Sequence, residues 1–130
     1  MQYYRASKEE VLSFLSQMKN VLNSPGFDLE KNFVLGGKVE RQKNLETLMF
    51  LDMNKEDVIE ELKKLKVSDY YHTRPDKINP KMPDYHVFYI YLEAKETYIK
   101  VRVQCNNKVL CKSFHFAEYS HGSLPYNEEE

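Results

Sequence analysis

Cysteine is nearly absent from this chain of 130 residues: Cys105 and Cys111 are the only two. A disulfide framework of the kind that holds small secreted domains together needs more of them at closer spacing. Both are read as free thiols on neighbouring strands, where cysteine packs as a small apolar side chain. Long apolar runs are missing too, none approaching the ~18 residues of a membrane span. The opening Met1-Gln2-Tyr3-Tyr4-Arg5 lacks the apolar stretch of a signal peptide, so the cytoplasm is the expected setting, with no membrane contact. There is no HxxxH, HExxH or CxxC spacing and no acidic cluster beside the histidines, so no metal and no other cofactor is expected. The lack of a glycine-rich phosphate loop and of a G-x-S-x-G elbow sets aside nucleotide and serine hydrolases.

What is present is an ordinary globular composition, 42% hydrophobic and 30% charged, at a length that fits one domain. The formal net charge is only −1, yet the charges are segregated. From Lys63 to Lys112 there are 11 Lys and Arg against 5 Asp and Glu, a local +6; the remainder has 8 against 15, a local −7. A basic half of this kind can steer a polyanion to one face.

Ser7-Lys8-Glu9-Glu10 reads as a capping box, and Val11, Leu12, Phe14, Leu15, Met18 and Leu22 follow at helical spacing, predicting a helix from Lys8 to Asn23. Phe33-Val34-Leu35 predicts a short strand ended by Gly36-Gly37. Asn44 is expected to cap a short helix bearing Leu45, Leu48, Met49 and Leu51, and Asn54, with Asp57, to cap another bearing Val58, Ile59, Leu62 and Leu65. Thr73 to Tyr85, with Pro75, Pro80 and Pro83, reads as a long loop joining helices to strands. His86 to Leu92, Thr97 to Cys105 and Lys108 to Phe116 alternate in the manner of strands and predict a three-stranded antiparallel meander. The expected class is therefore α+β, N-terminal helices packed on a C-terminal antiparallel sheet, with residues 1–40 as an N-terminal helix and extension. Residues 120–130 read as a polar tail that frays at Glu128-Glu129-Glu130.

A two-residue turn at Asn106-Asn107, where Asn tolerates the left-handed conformation, sets Tyr98 opposite His115, Lys100 opposite Ser113 and Arg102 opposite Cys111. The other face then pairs Ile99 with Phe114 and Val103 with Leu110, leaving Lys112 against Val101 as a misfit. A turn at Ala94-Lys95 would place Tyr91 beside Tyr98 and Tyr89 beside Lys100. The outward face collects Tyr89, Tyr91, Tyr98, Lys100, Arg102, Ser113 and His115, aromatic planes among cations and one imidazole. Single-stranded RNA is bound by such groups, because bases stack on rings and Lys and Arg neutralise phosphates. Sheet surfaces also carry Tyr, Lys and Arg for strand propensity and solubility alone.

Cleaving RNA without a metal requires a base for the 2′-hydroxyl proton, an acid for the leaving oxygen, and cations for the charged intermediate. Histidine, titrating near 6.5, suits either proton transfer. His115 lies on the polar face, and His72 follows the third helix where the loop can swing it over the sheet. His86 has core-facing parity and His121 falls in the tail, so neither is assigned a role.

Four segments, Lys43-Asn44-Leu45-Glu46-Thr47-Leu48, Ser68-Asp69-Tyr70-Tyr71-His72, Tyr98-Ile99-Lys100-Val101 and Cys111-Lys112-Ser113-Phe114-His115-Phe116-Ala117-Glu118-Tyr119, give the span 43–119 its character. In their order and spacing the chain resembles the MqsR family of type II toxin–antitoxin toxins, messenger-RNA interferases of RelE-like fold. The resemblance implies a metal-independent endoribonuclease acting on single-stranded mRNA and a cognate antitoxin as partner. Carried over by position, its catalytic residues are Tyr98, with His72 and His115 standing where better-known members have lysine; Tyr89, Tyr91, Lys100, Arg102 and Ser113 are the expected RNA-binding set. A glutamine that the family places on the first strand of the meander has no clear match. The alternative is a non-catalytic interaction or inhibitor protein, phage-borne or otherwise, that reuses the fold to bind protein or nucleic acid.

Overall fold

The computed structural model describes residues 3–127. Ser7 and Glu10 form the expected capping box and start α1, Lys8–Leu22, whose Val11, Phe14, Leu15, Met18 and Leu22 are buried. Asp28 caps the single turn α2, Leu29–Asn32, which leads straight into β1, Phe33–Leu35. Next come α3, Arg41–Leu51, and α4, Lys55–Lys63, the latter capped by Asn54 with Asp57 as predicted. The remaining strands are β2, Tyr70–Arg74; β3, Tyr85–Leu92; β4, Lys95–Gln104; and β5, Lys108–Phe116. The class is α+β, as the element pattern implies. Among the described residues no helix is long and apolar enough to cross a membrane.

The sheet is larger than the expected meander. Its order is β1-β5-β4-β3-β2, with β1 parallel to β5 and the other neighbours antiparallel. The strand missed by sequence reading is β2: Tyr70-Tyr71-His72 belongs to the sheet rather than to a swinging loop, and the connection proper runs over residues 75–84. The short β2, with a bulge between Tyr70 and His72, shows little alternation to read.

One face packs on α1 and α4. Phe88, Ile99, Val101 and Phe114 meet Phe14, Met18, Val58 and Leu62, all buried, in one core. Ala6, α1 and Phe33 thus supply core, and the segment after Tyr119 is anchored at Tyr126: its hydroxyl donates to the Ala6 carbonyl at 2.6 Å, and its ring stacks on Tyr70. The expected fraying of Glu128-Glu129-Glu130 lies outside the described residues. Cys111 is buried and Cys105 exposed in a turn rather than on a strand; both are free.

Both hairpin turns differ from expectation. The β4–β5 connection has three residues, Cys105 to Asn107, with Asn107 left-handed at φ 57° and its amide donating to the Gln104 carbonyl at 3.1 Å. Near the turn Val103 therefore faces Val109 and Arg102 faces Leu110, not Leu110 and Cys111. A bulge at Lys112 of β5 then falls opposite the step from Lys100 to Val101 and leaves Lys112 without an opposite residue, and beyond it Lys100 faces Ser113, Ile99 faces Phe114 and Tyr98 faces His115. The misfit of Lys112 against Val101 is what the bulge removes. In the β3–β4 hairpin the turn is Glu93-Ala94, both left-handed at φ 53° and 65°, so Tyr89 faces Tyr98 and Tyr91 faces Glu96. That shift of two residues preserves the faces while changing the neighbours.

Along β5 beyond Cys111, the edge that β1 does not reach is covered by α3. The Asn44 side chain donates to the Lys112 carbonyl at 3.1 Å and accepts from the Phe114 amide at 2.9 Å, and Thr47 Oγ1 accepts from the Phe116 amide at 3.0 Å. Asn44 is thus a buried mid-helix residue substituting for a neighbouring strand, not a cap, because a sheet edge buried without partners would strand its amides. The consequence is an inverted helix whose Leu45, Met49 and Phe50 are exposed.

Candidate RNA-cleaving cleft

The sheet face opposite the core forms the floor of a cleft of about 360 Å³, lined by β2, β3, β4 and β5, by the start of α3, and by the segment after β5. Pairing of β4 with β5 brings Tyr98 and His115 side by side, their rings stacked at 5.4 Å between centroids and 27° between planes. Tyr89 meets Tyr98 edge-on at 5.5 Å, and His121 stacks on Tyr89 at 4.0 Å. Tyr71 contacts Tyr89, His72 and His121. An aromatic row therefore crosses the floor, with cations around it.

His115 is 6% exposed, and its Nδ1 lies 3.0 Å from the Phe116 carbonyl oxygen. A carbonyl oxygen only accepts, so Nδ1 carries a proton and Nε2 is left for exchange with a ligand. Burial raises the Tyr98 hydroxyl above its ordinary pKa against the opposing hydrogen bond and charge of Arg74, which keeps it a neutral donor. Burial, with Lys112 and Arg74 nearby, lowers Lys100 to about 8. Ser113 shares the row of Lys100 and is buried. Lys43, paired with Glu118 at 2.9 Å, stands at the rim.

His72 lies on β2 in the row of Val87 and Lys100, 8% exposed, its ring stacked on Tyr3 at 4.4 Å. Neither ring nitrogen has a hydrogen-bond partner. Burial, then the charges of Arg74 and Lys100, lowers it to about 4. It is neutral at physiological pH and ill suited to act as a cationic acid.

Of the expected residues, Tyr98, His115, His72, Tyr89, Lys100 and Ser113 meet in the cleft; Tyr91 and Arg102 do not. Tyr91 is 71% exposed beyond the cleft edge. Arg102 is buried and committed: it donates to Asp76 at 2.8 Å, to the Pro83 carbonyl at 3.2 Å and to Gln104 at 3.2 Å, with its guanidinium 4.3 Å from the Tyr85 ring centre. It pins the connection over residues 75–84 to the sheet. Four contributors were not anticipated: Arg74, Tyr71, His121 and Glu40. The first two come with the missed strand β2; His121 reaches the cleft because the segment after β5 folds back, its Nε2 meeting the Glu96 carboxylate and its Nδ1 the Gly122 carbonyl. For His121 the sequence carries no local signal, since a polar segment without periodicity does not announce its path. Among the described residues no three His, Cys, Asp or Glu side chains gather in a way that would hold a metal ion.

No protein-family model matches the chain, and no curated protein matches it significantly.

Proposed function

We propose that the protein is a metal-independent endoribonuclease of toxin type that cleaves single-stranded RNA in this cleft. The observation that carries the reading is the stacked pair of Tyr98 and His115 beside Lys100 and Arg74 on an aromatic floor. Tyr89 and Tyr71 offer planes on which unpaired bases stack, Lys100 and Arg74 neutralise the scissile phosphate, and the neutral Tyr98 hydroxyl donates to one of its oxygens. His115 passes a proton at Nε2 to or from the reacting ribose oxygens. The resemblance to MqsR toxins supports the same reading and adds an antitoxin partner, for which the exposed Leu45, Met49 and Phe50 of α3 provide an apolar surface beside the cleft.

Incubation of the purified protein with a defined single-stranded RNA tests this directly. Fragments should end in a 2′,3′-cyclic phosphate and begin with a 5′-hydroxyl, and His115→Ala should slow their appearance by about 10²- to 10⁴-fold without unfolding the protein. RNA that stays intact at every pH between 5 and 9 would refute the reading. The second reading, a non-catalytic inhibitor or interaction protein, draws on the same exposed row of α3; binding of RNA or protein without strand scission is its signature.

A further inference from the structure

Transfer of the phosphoryl group to a 2′-oxygen needs two proton-transfer groups, and with a proton on His72 disfavoured by burial and by Arg74 and Lys100, the cleft has so far supplied one. Glu40 lines the same cleft. It occupies the N-cap position of α3 with φ −87° and ψ −8°, yet makes no capping hydrogen bond. Its Oε1 is shielded from water and has no partner. Gly37 has no side chain to crowd it: a Cβ there would stand 3.0 Å from Oε1. A buried carboxylate oxygen without a donor is costly, and on a side chain that lines a cleft it leaves an acceptor for a ligand's donor. The 2′-hydroxyl of a ribose is such a donor.

We propose, resting on the cleavage reading above, that Glu40 is the general base of this site and His115 its general acid. The 2′-hydroxyl gives its proton to the Glu40 carboxylate as the 2′-oxygen bonds to phosphorus. The bond from phosphorus to the 5′-oxygen breaks, and that oxygen takes the proton from His115 Nε2. The products are a 2′,3′-cyclic phosphate and a 5′-hydroxyl, with Glu40 protonated and His115 neutral until water restores both. His72 is the weaker choice of acceptor because a proton there adds a cation beside Arg74 and Lys100, whereas a proton on Glu40 cancels a charge. The groups whose charges act with that of Glu40 are Lys43 on its own helix, Tyr85 on β3, and Tyr98 and Lys100 on β4; Lys112 of β5 packs against Gly37 beside it, and His115 lines the same cleft.

The test uses a short fluorogenic single-stranded RNA for cleavage and its counterpart lacking 2′-hydroxyls for binding. Glu40→Gln should lower kcat by about 10²-fold or more, within the range of general acid–base catalysis, while leaving affinity for the 2′-deoxy strand unchanged. In the wild type, log kcat should show the rising and falling limbs of a base and an acid acting together; in the variant the rising limb should vanish. A merely structural Glu40 would shift affinity or stability and keep both limbs. If Glu40→Gln does not fold, Glu40→Asp replaces it: shortened by one methylene, it should cut kcat yet keep the rising limb. Either variant cleaving at the wild-type rate overturns the assignment alone. A wild-type protein that cleaves nothing overturns the cleavage reading, and the assignment falls with it.

Discussion

His72 illustrates how a residue can arrive at the expected place with different chemistry. Its position beside Lys100 follows from β2 joining the sheet, and the same burial that places it there makes its charged form unfavourable. In the unfolded chain a histidine titrates near ~6.5; in the folded protein this one titrates at about 4. Between those values the unfolded chain binds a proton that the folded one refuses, so this contribution is complete above pH ~6.5 and is lost as pH falls towards 4. His86, lowered to about 4 by burial against Phe14, acts in the same direction. Because the His72 nitrogens have no partners, His72→Phe removes no hydrogen bond and relieves two unsatisfied buried atoms. The variant should be at least as stable as the wild type at pH 7 and lose less stability between pH 7 and pH 5. Urea midpoints at the two pH values decide it; a variant clearly weaker at pH 7, or as acid-sensitive as the wild type, would show that the imidazole is stabilised by something other than its surroundings in the folded chain.

At the scale of elements, what can be read from sequence divides by whether the signal is local. α1 and α4 announce themselves through capping boxes and apolar periodicity, and β3, β4 and β5 through alternation, so they stand close to where they are expected. The adjacency of Tyr98 and His115 was legible as well, although by two departures that compensate: a three-residue turn instead of two shifts the pairing by one, and the bulge at Lys112 shifts it back. Without that bulge His115 would have moved to the core face. β2 was not legible, and of α3 the helix was legible but not its start at Arg41 or its inward face, because these are defined by partners far along the chain. β2 exists through pairing with β3. α3 presents Asn44 and Thr47 inward to the β5 edge and apolar residues outward, which inverts the pattern by which helices are recognised. Asn44→Leu should keep the volume and strand both the Phe114 amide and the Lys112 carbonyl, at about 1–3 kcal/mol for each buried group left unsatisfied. Thermal unfolding measures the loss. A variant with an unchanged Tm would mean that α3 lies on β5 by apolar contact alone.

Across the whole molecule, charge explains how a protein of net charge −1 can hold a polyanion. The cations relevant to the cleft are concentrated there, Arg74 and Lys100 with Lys112 near Lys100, while Lys43 is paired with Glu118. Lys100 is the sensitive one, because burial lowers it to about 8. A lowered lysine pKa means that the charge is full well below pH 8 and disappears as pH rises through it, so affinity for single-stranded RNA should decline between pH 7 and pH 9 where a surface lysine would remain charged. Bound phosphate pulls the proton back, which softens the decline without reversing it. Lys100→Arg keeps a charge at every accessible pH and should flatten that dependence, since guanidinium does not titrate in this range. Salt separates this effect from simple loss of structure. Each single-stranded phosphate neutralised contributes about −0.7 to the slope of log affinity against log salt, so two or three contacts give about −1.4 to −2. Lys100→Ala should reduce the slope by about one contact at pH 7 and by less at pH 9, where the wild-type lysine is itself largely neutral. A slope near zero, or one that Lys100→Ala leaves alone at pH 7, would mean that RNA does not lie across this face of the sheet.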